Sequence, residues 1–92
     1  MEQAEILAHL KAAGTFFEVF EVRTFKGYRH DQDGVVRDIT VEIRDGGVGD
    51  PLRYHVVVTD DYGRSVTGKG GDPLGGVIAA VPWDELDREP PP

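Results

Sequence analysis

The stretch Arg53–Trp83, RYHVVVTDDYGRSVTGKGGDPLGGVIAAVPW, decides the fold class of this chain. Tyr54, Val56 and Val58 alternate with His55, Val57 and Thr59, and this period of two in β-branched and aromatic residues predicts a strand. Val57 makes the middle of that strand apolar on both faces, which places it centrally in a sheet. Asp60-Asp61-Tyr62-Gly63 supplies a turn: aspartates bond nearby backbone, and Gly63 accepts a positive φ. Arg64–Thr67 can then return as a short antiparallel strand.

Gly68-Lys69-Gly70-Gly71 is too rich in glycine to stay regular at low entropic cost. Asp72 and Pro73 read as a helix cap and a first helical residue. Leu74, Val77, Ile78 and Val81 follow at i, i+3, i+4 and i+7, one apolar helix face. Gly75 and Gly76 each cost that helix about 1 kcal/mol against Ala, and their presence in its first turn predicts close approach to another backbone. Pro82 ends the helix, and Trp83 and Leu86 fold back as an irregular turn on the core.

Upstream, Val36–Asp45 alternates most cleanly. Ile39, Val41 and Ile43 point one way, while Asp38, Thr40, Glu42 and Arg44 point the other, as in an antiparallel sheet with one wet face. Glu2–Ala13 predicts a helix with an apolar stripe of Ile6, Leu7 and Leu10, stopped at Gly14 and packed on the sheet. Thr15–Phe25 predicts a first strand whose phase shifts from Phe17 and Val19 to Phe16, Phe20 and Val22, reconciled by a bulge near Glu18. Lys26–Gly34 reads as a hairpin loop turning at Asp33-Gly34, and Gly46–Pro51 as a mobile loop. The expected architecture is α+β, in the order α-β-β-β-(β)-α. A three- to four-stranded antiparallel meander carries the N- and C-terminal helices on one face. Residues 1–87 form one domain, and the proline-rich residues 88–92 are expected to be a disordered tail.

The 92 residues suffice for one small core. The chain has no cysteine, hence no disulfide and no thiolate zinc site. It has no apolar run of membrane-spanning length, and its first residues lack a secretory pattern. These features fit the cytoplasm. The net charge of −7 is uneven. The sheet region, residues 23–69, balances eight acids with eight bases, while the flanks are acidic. An acidic protein repels phosphate backbones at long range.

Motifs of known chemistry come close and fail. Gly63–Gly70, GRSVTGKG, follows a P-loop until Gly70 stands where a magnesium-binding hydroxyl belongs. Lys69 with Gly68, Gly70 and Gly71 still offers a candidate anion site beside the helix at Asp72. Aligning Gly34 with the glycine of a calcium loop puts Arg29 and Thr40 at ligand positions, which neither can fill. His9, His30 and His55 have no zinc spacing. Ser65, the one serine, lies in no nucleophile setting, and no carboxylate pair marks a general acid.

Residues 36–86 resemble a double-stranded-RNA-binding domain. Tyr54, Val56 and Val58 match apolar positions of its middle strand, and Gly68 and Gly70 match its paired glycines. Asp72 falls on its helix-capping serine, and Ala80 on its alanine-rich helix face. The family's phosphate-contacting lysines are replaced here by Pro73 and Leu74, and the next basic position by Val77. The resemblance implies a fold, without the residues that bind RNA.

The residues thus predict a small, acidic, non-enzymatic interaction module without cofactor or metal, binding a protein partner or a second copy of itself as a homodimer. Phe25, Tyr28 and Tyr62 are its candidate contact residues. The alternative is nucleic-acid or nucleotide binding through Gly68–Asp72, assisted by Arg37, Arg44, Arg53 and Arg64 if they cluster in space. A subunit that completes a partner enzyme's active site is a third reading.

Overall fold

A computed structural model describes residues 1–87; the tail expected to be disordered, residues 88–92, lies outside them. The elements are α1 (Gln3–Gly14), β1 (Glu21–His30), β2 (Val36–Asp45), β3 (Tyr54–Thr59), β4 (Ser65–Gly70), α2 (Leu74–Ala79) and a 3-10 turn (Trp83–Asp87). The fold is α+β. The four strands form one open antiparallel sheet in the order β1-β2-β3-β4.

Two of the connections share one chemistry. Asp31-Gln32-Asp33-Gly34 and Asp60-Asp61-Tyr62-Gly63 are both D-x-x-G turns in which the glycine N–H returns to the aspartate carbonyl. Gly34 and Gly63 have φ of 80° and 81°, a region that glycine enters without a Cβ clash. In each turn the aspartate Oδ1 accepts two further backbone N–H groups, from Asp33 and Val35 in the first and from Tyr62 and Arg64 in the second, all at 2.9 Å. The second carboxylate oxygen takes an arginine Nε, from Arg37 at 3.2 Å and from Arg64 at 3.0 Å. Burial would raise the Asp31 carboxyl, but the N–H groups of Val35 and Asp33 and the Arg37 guanidinium hold it below its usual value.

The core lies on one face of β2–β4. Ile39 and Ile43 join Tyr54, Val56, Val58 and Val66 beneath Val77, Val81 and Leu86. The helix comes close because β4 is glycine there. A Cβ on Gly68 would lie 2.6 Å from the Val77 carbonyl oxygen, and one on Gly70 3.2 Å from the Val77 side chain. Gly75 and Gly76 make no such approach: a Cβ on Gly75 meets nothing within 4 Å. The close contact thus falls on the strand glycines and not on the helix pair. Pro73 occupies the cap position with no side-chain cap bond. Asp72, expected as the cap, has its carboxylate 3.8 Å from Arg53. Trp83 and Leu86 fold back as expected, with Trp83 Nε1 donating to the Ile78 carbonyl and Leu86 only 1% exposed.

The first strand begins six residues later than its composition predicts and runs through Lys26–His30, which reads as loop in isolation. A strand exists only where a partner supplies its hydrogen bonds. The tight turn at Asp31–Gly34 pairs His30 with Val36 and Glu21 with Asp45. Beyond Asp45 the partner strand ends, so Phe16–Phe20 have nothing to pair with. The phase shift there is resolved by an irregular segment, not a bulge. Thr15, in the left-handed region at φ 53°, ends α1 and turns the chain out of the helix. The helix buries no residue. Its attachment consists of Gln3, which donates to Glu21 and Asp45, and Leu7, which lies over Gly47.

Candidate functional site

Two surfaces stand out, and both follow from the alternation of side chains across the sheet. The first is the hairpin face around β1. Phe25 lies opposite Val41 on the core face, but α2 covers only the β3–β4 half of that face, so Phe25 stays 53% exposed. Val22 and Tyr28 lie on the opposite face, 45% and 81% exposed. The irregular segment before the strand adds Phe16, Phe17 and Phe20. All four phenylalanines of the chain are therefore exposed and fall within residues 16–25, while the core is built from valine, isoleucine and leucine with one tyrosine. Of the three contact residues expected from sequence, the structure brings Phe25 and Tyr28 onto one strand, on its two faces. Tyr62 lies elsewhere, in the β3–β4 turn, where the Arg37 guanidinium stacks on its ring at 3.6 Å. That stacking shields Arg37, which is 7% exposed.

The second surface is a shallow pocket of about 210 Å³. Arg44, His55 and Lys69 form one cross-strand row over β2, β3 and β4 on the face away from the core. Glu18 and Phe20 close the pocket from the segment before β1, and Asp50, Leu52 and Arg53 from the long loop. The Arg44 guanidinium sits 5.6 Å from the Phe20 ring centroid. Burial lowers the His55 pKa, and the positive charges of Arg44 and Lys69 lower it further, so the imidazole is neutral at neutral pH. Its Nε2 is buried without a hydrogen-bond partner among the described residues.

One edge of this pocket is held by Asp45, which is 2% exposed. Burial favours its protonated form, but hydrogen bonds from Arg53, Gln3 and the Gly47 N–H outweigh that and hold its carboxyl at about 2. Arg53 closes a forked pair on the two Asp45 oxygens at 2.7 and 3.1 Å. This network joins α1, the end of β2 and the long loop.

The structure separates the candidate anion residues. Gly68 and Gly70 face α2, while Lys69 projects to the opposite face beside His55. Gly71 lies near the Pro51 carbonyl. Of the four arginines expected to assist, Arg44 and Arg53 line the pocket with Lys69. Arg37 and Arg64 are instead bonded to turn aspartates around Tyr62. Reading by sequence missed Glu18, Phe20, Asp50 and Leu52 as pocket walls. It also missed the alignment of Arg44 with His55, because that register passes through the long loop between β2 and β3. The D-x-x-G turn is the signal that was present: it sets the β3–β4 register and hence the His55–Lys69 pair.

Among the described residues no group of histidine and carboxylate side chains is placed to hold a metal ion, and no helix is long and apolar enough to cross a membrane. Comparison with protein-family models, with curated proteins and with solved structures finds no match.

Proposed function

We infer that this protein is a small non-enzymatic interaction module that binds a protein partner through the hairpin face around β1. The observation that carries this reading is the exposure of all four phenylalanines within residues 16–25, next to Val22 and Tyr28. Aromatic residues are enriched at protein interfaces because they bury large areas at small entropic cost. Large apolar side chains left exposed on both faces of one edge strand and on the segment before it are of the kind that interaction sites use. Photo-crosslinking in the native cell tests the reading. A crosslinker at Phe25 or Tyr28 is expected to give discrete adducts, and one at the exposed Thr67 on β4, the opposite edge of the sheet, none. Equal labelling from all three positions, or none from any, refutes it.

A second reading is phosphate binding, favoured by the row of Arg44, His55 and Lys69 beside Arg53 in one pocket of an otherwise acidic chain. Its test is an NMR titration with ATP and with a short RNA duplex at low salt, where phosphate binding is strongest. Shifts at Arg44, His55 and Lys69 that vanish in Lys69→Glu support it. Unmoved resonances rule it out.

A further inference from the structure

The ladder of the sheet defines which backbone groups of β1 face away from β2. Asp31 N–H donates to the Val35 carbonyl at 2.9 Å, which makes the Asp31/Val35 pair a hydrogen-bonded one. Antiparallel ladders alternate bonded and non-bonded pairs, so Arg29, Gly27, Phe25, Arg23 and Glu21 bond to β2. The other side of β2 agrees: Gly46 N–H donates to the Arg53 carbonyl, and this assigns Arg44, Glu42 and Thr40 to β3. The N–H and C=O groups of Val22, Thr24, Lys26, Tyr28 and His30 therefore point outward from the sheet. The strand is ten residues long with an unbroken register and no proline, and all but Arg29 are exposed. Natural edges of this length are covered, bulged or interrupted, because they pair with other chains. The opposite edge, β4, has six residues.

We propose that two copies of this chain pair antiparallel along β1, with the two-fold axis at Phe25, to form a continuous eight-stranded sheet. This rests on the interaction-module reading and names its partner. A symmetric pairing must join outward residues to outward residues, so the axis passes through a residue and not between two. The register that would pair all of Glu21–His30 is thereby excluded. An axis at Lys26 sets Lys26 against its own copy and Arg23 against Arg29, and like charges directly opposite are unfavourable. Axes at Thr24 or Gly27 pair fewer residues, Glu21–Gly27 or Thr24–His30.

The axis at Phe25 pairs Glu21 through Arg29 with no like charges opposed. Glu21, which accepts from Gln3 of its own chain, lies opposite Arg29 of the second copy, whose guanidinium forks onto its own Asp87; Val22 meets Tyr28, Thr24 meets Lys26 and Phe25 meets Phe25. The bonded pairs are Val22 with Tyr28 and Thr24 with Lys26, each formed twice by symmetry. The phenylalanines form the non-bonded central pair, where side chains stand closest. On the core face, Val41, the two phenylalanines and the second Val41 make one apolar row across the new seam.

The chain has no cysteine, so single cysteines report the register directly. Non-bonded antiparallel partners stand about 4.5 Å apart at Cα, within the range that a disulfide bridges. Under mild oxidation Phe25→Cys is expected to give a covalent dimer, and Thr24→Cys and Lys26→Cys little. Thr24→Pro removes an outward N–H and no bond to β2. It should keep the circular-dichroism spectrum of the wild type while raising the dimer dissociation constant about tenfold or more in analytical ultracentrifugation. Faster crosslinking from Thr24→Cys or Lys26→Cys overturns the register, as does dimerisation unchanged in a folded Thr24→Pro. If Thr24→Pro fails to fold, the cysteine ranking decides alone. A wild-type chain that stays monomeric at about 200 µM, a concentration at which even affinities near 100 µM populate dimer, overturns self-pairing. Photo-crosslinks from Phe25 and Tyr28 to a different protein would then keep the interaction-module reading standing.

Discussion

Residues 1–36 contain no buried residue, whereas residues 37–87 contain the entire core. Apolar content does not explain the contrast. The first region carries all the phenylalanines and the Ile6, Leu7 and Leu10 stripe, and the second relies on valines. The difference is cover. In the second region α2 and the 3-10 turn lie across β3 and β4, and glycine at 68 and 70 lets them sit close. In the first region α1 reaches the sheet only at its end, through Gln3 and Leu7, and the 3-10 turn touches β1 at Arg29, which forks onto Asp87; the rest of β1 is exposed on both faces. The first region, apolar yet mostly uncovered, is held by its hairpin hydrogen bonds and by the Arg29–Asp87 pair.

The largest effects should come from the covered half. Gly68→Val forces a side chain into the Val77 carbonyl and Val81, and Leu86→Ala empties a site that is 1% exposed. Each is expected to cost about 2–5 kcal/mol in urea unfolding. A loss below about 1 kcal/mol for both would mean that α2 and the turn do not close the core.

Next comes the turn between β3 and β4, within the covered half. Asp60→Asn keeps the size of the side chain but removes the charge that holds Arg64 and two N–H groups. About 1–3 kcal/mol should be lost, and an unchanged midpoint would show the carboxylate to be dispensable.

The pH dependence has two windows. Asp45 has a folded pKa of about 2, below the ordinary 3.8. Its contribution is complete above 3.8 and is lost as the pH falls toward 2. His55 also titrates lower in the folded chain. The unfolded chain binds the extra proton just below about pH 6.5, so stability should decline as the pH drops from 7 toward 5. Thermal unfolding at stepped pH values should show this slope flattened in His55→Gln. A slope identical in the two proteins would contradict the burial of His55.

The smallest effects belong to the uncovered half. Ile6→Ala and Tyr28→Ala should each change stability by less than about 0.5 kcal/mol. Amide exchange in α1 should be faster than in β3, because the helix can open without breaching a core. Protection of α1 equal to that of β3 in a monomeric sample would erase the contrast between the regions.

The candidate surfaces were legible in different degrees. Phe25 and Tyr28 were readable as exposed because they end a run of aromatics with imperfect alternation. Tyr62 was readable as a turn residue, but its stacking under Arg37 was not, since the two are joined only when the β1–β2 and β3–β4 turns meet. The anion site placed on Gly68–Gly71 comes apart in three dimensions, because successive residues of a strand face opposite sides. Lys69 leaves its glycines and joins Arg44 and His55.

By itself the sequence determined what depends on neighbours within a few residues: the alternating strands at 36–45 and 54–59 and the turns at Asp33-Gly34 and Asp60–Gly63, whereas the second helix ends at Ala79, ahead of the Pro82 expected to stop it. Tertiary structure decided where β1 begins, which glycines yield to the helix, and which charges share the pocket. A strand end is set by the end of its partner, and a close approach by the element packed above. Register across the loop from Gly46 to Arg53 is set by the buried Asp45–Arg53 pair and the core face it aligns. None of these quantities is local, so no window of sequence contains them.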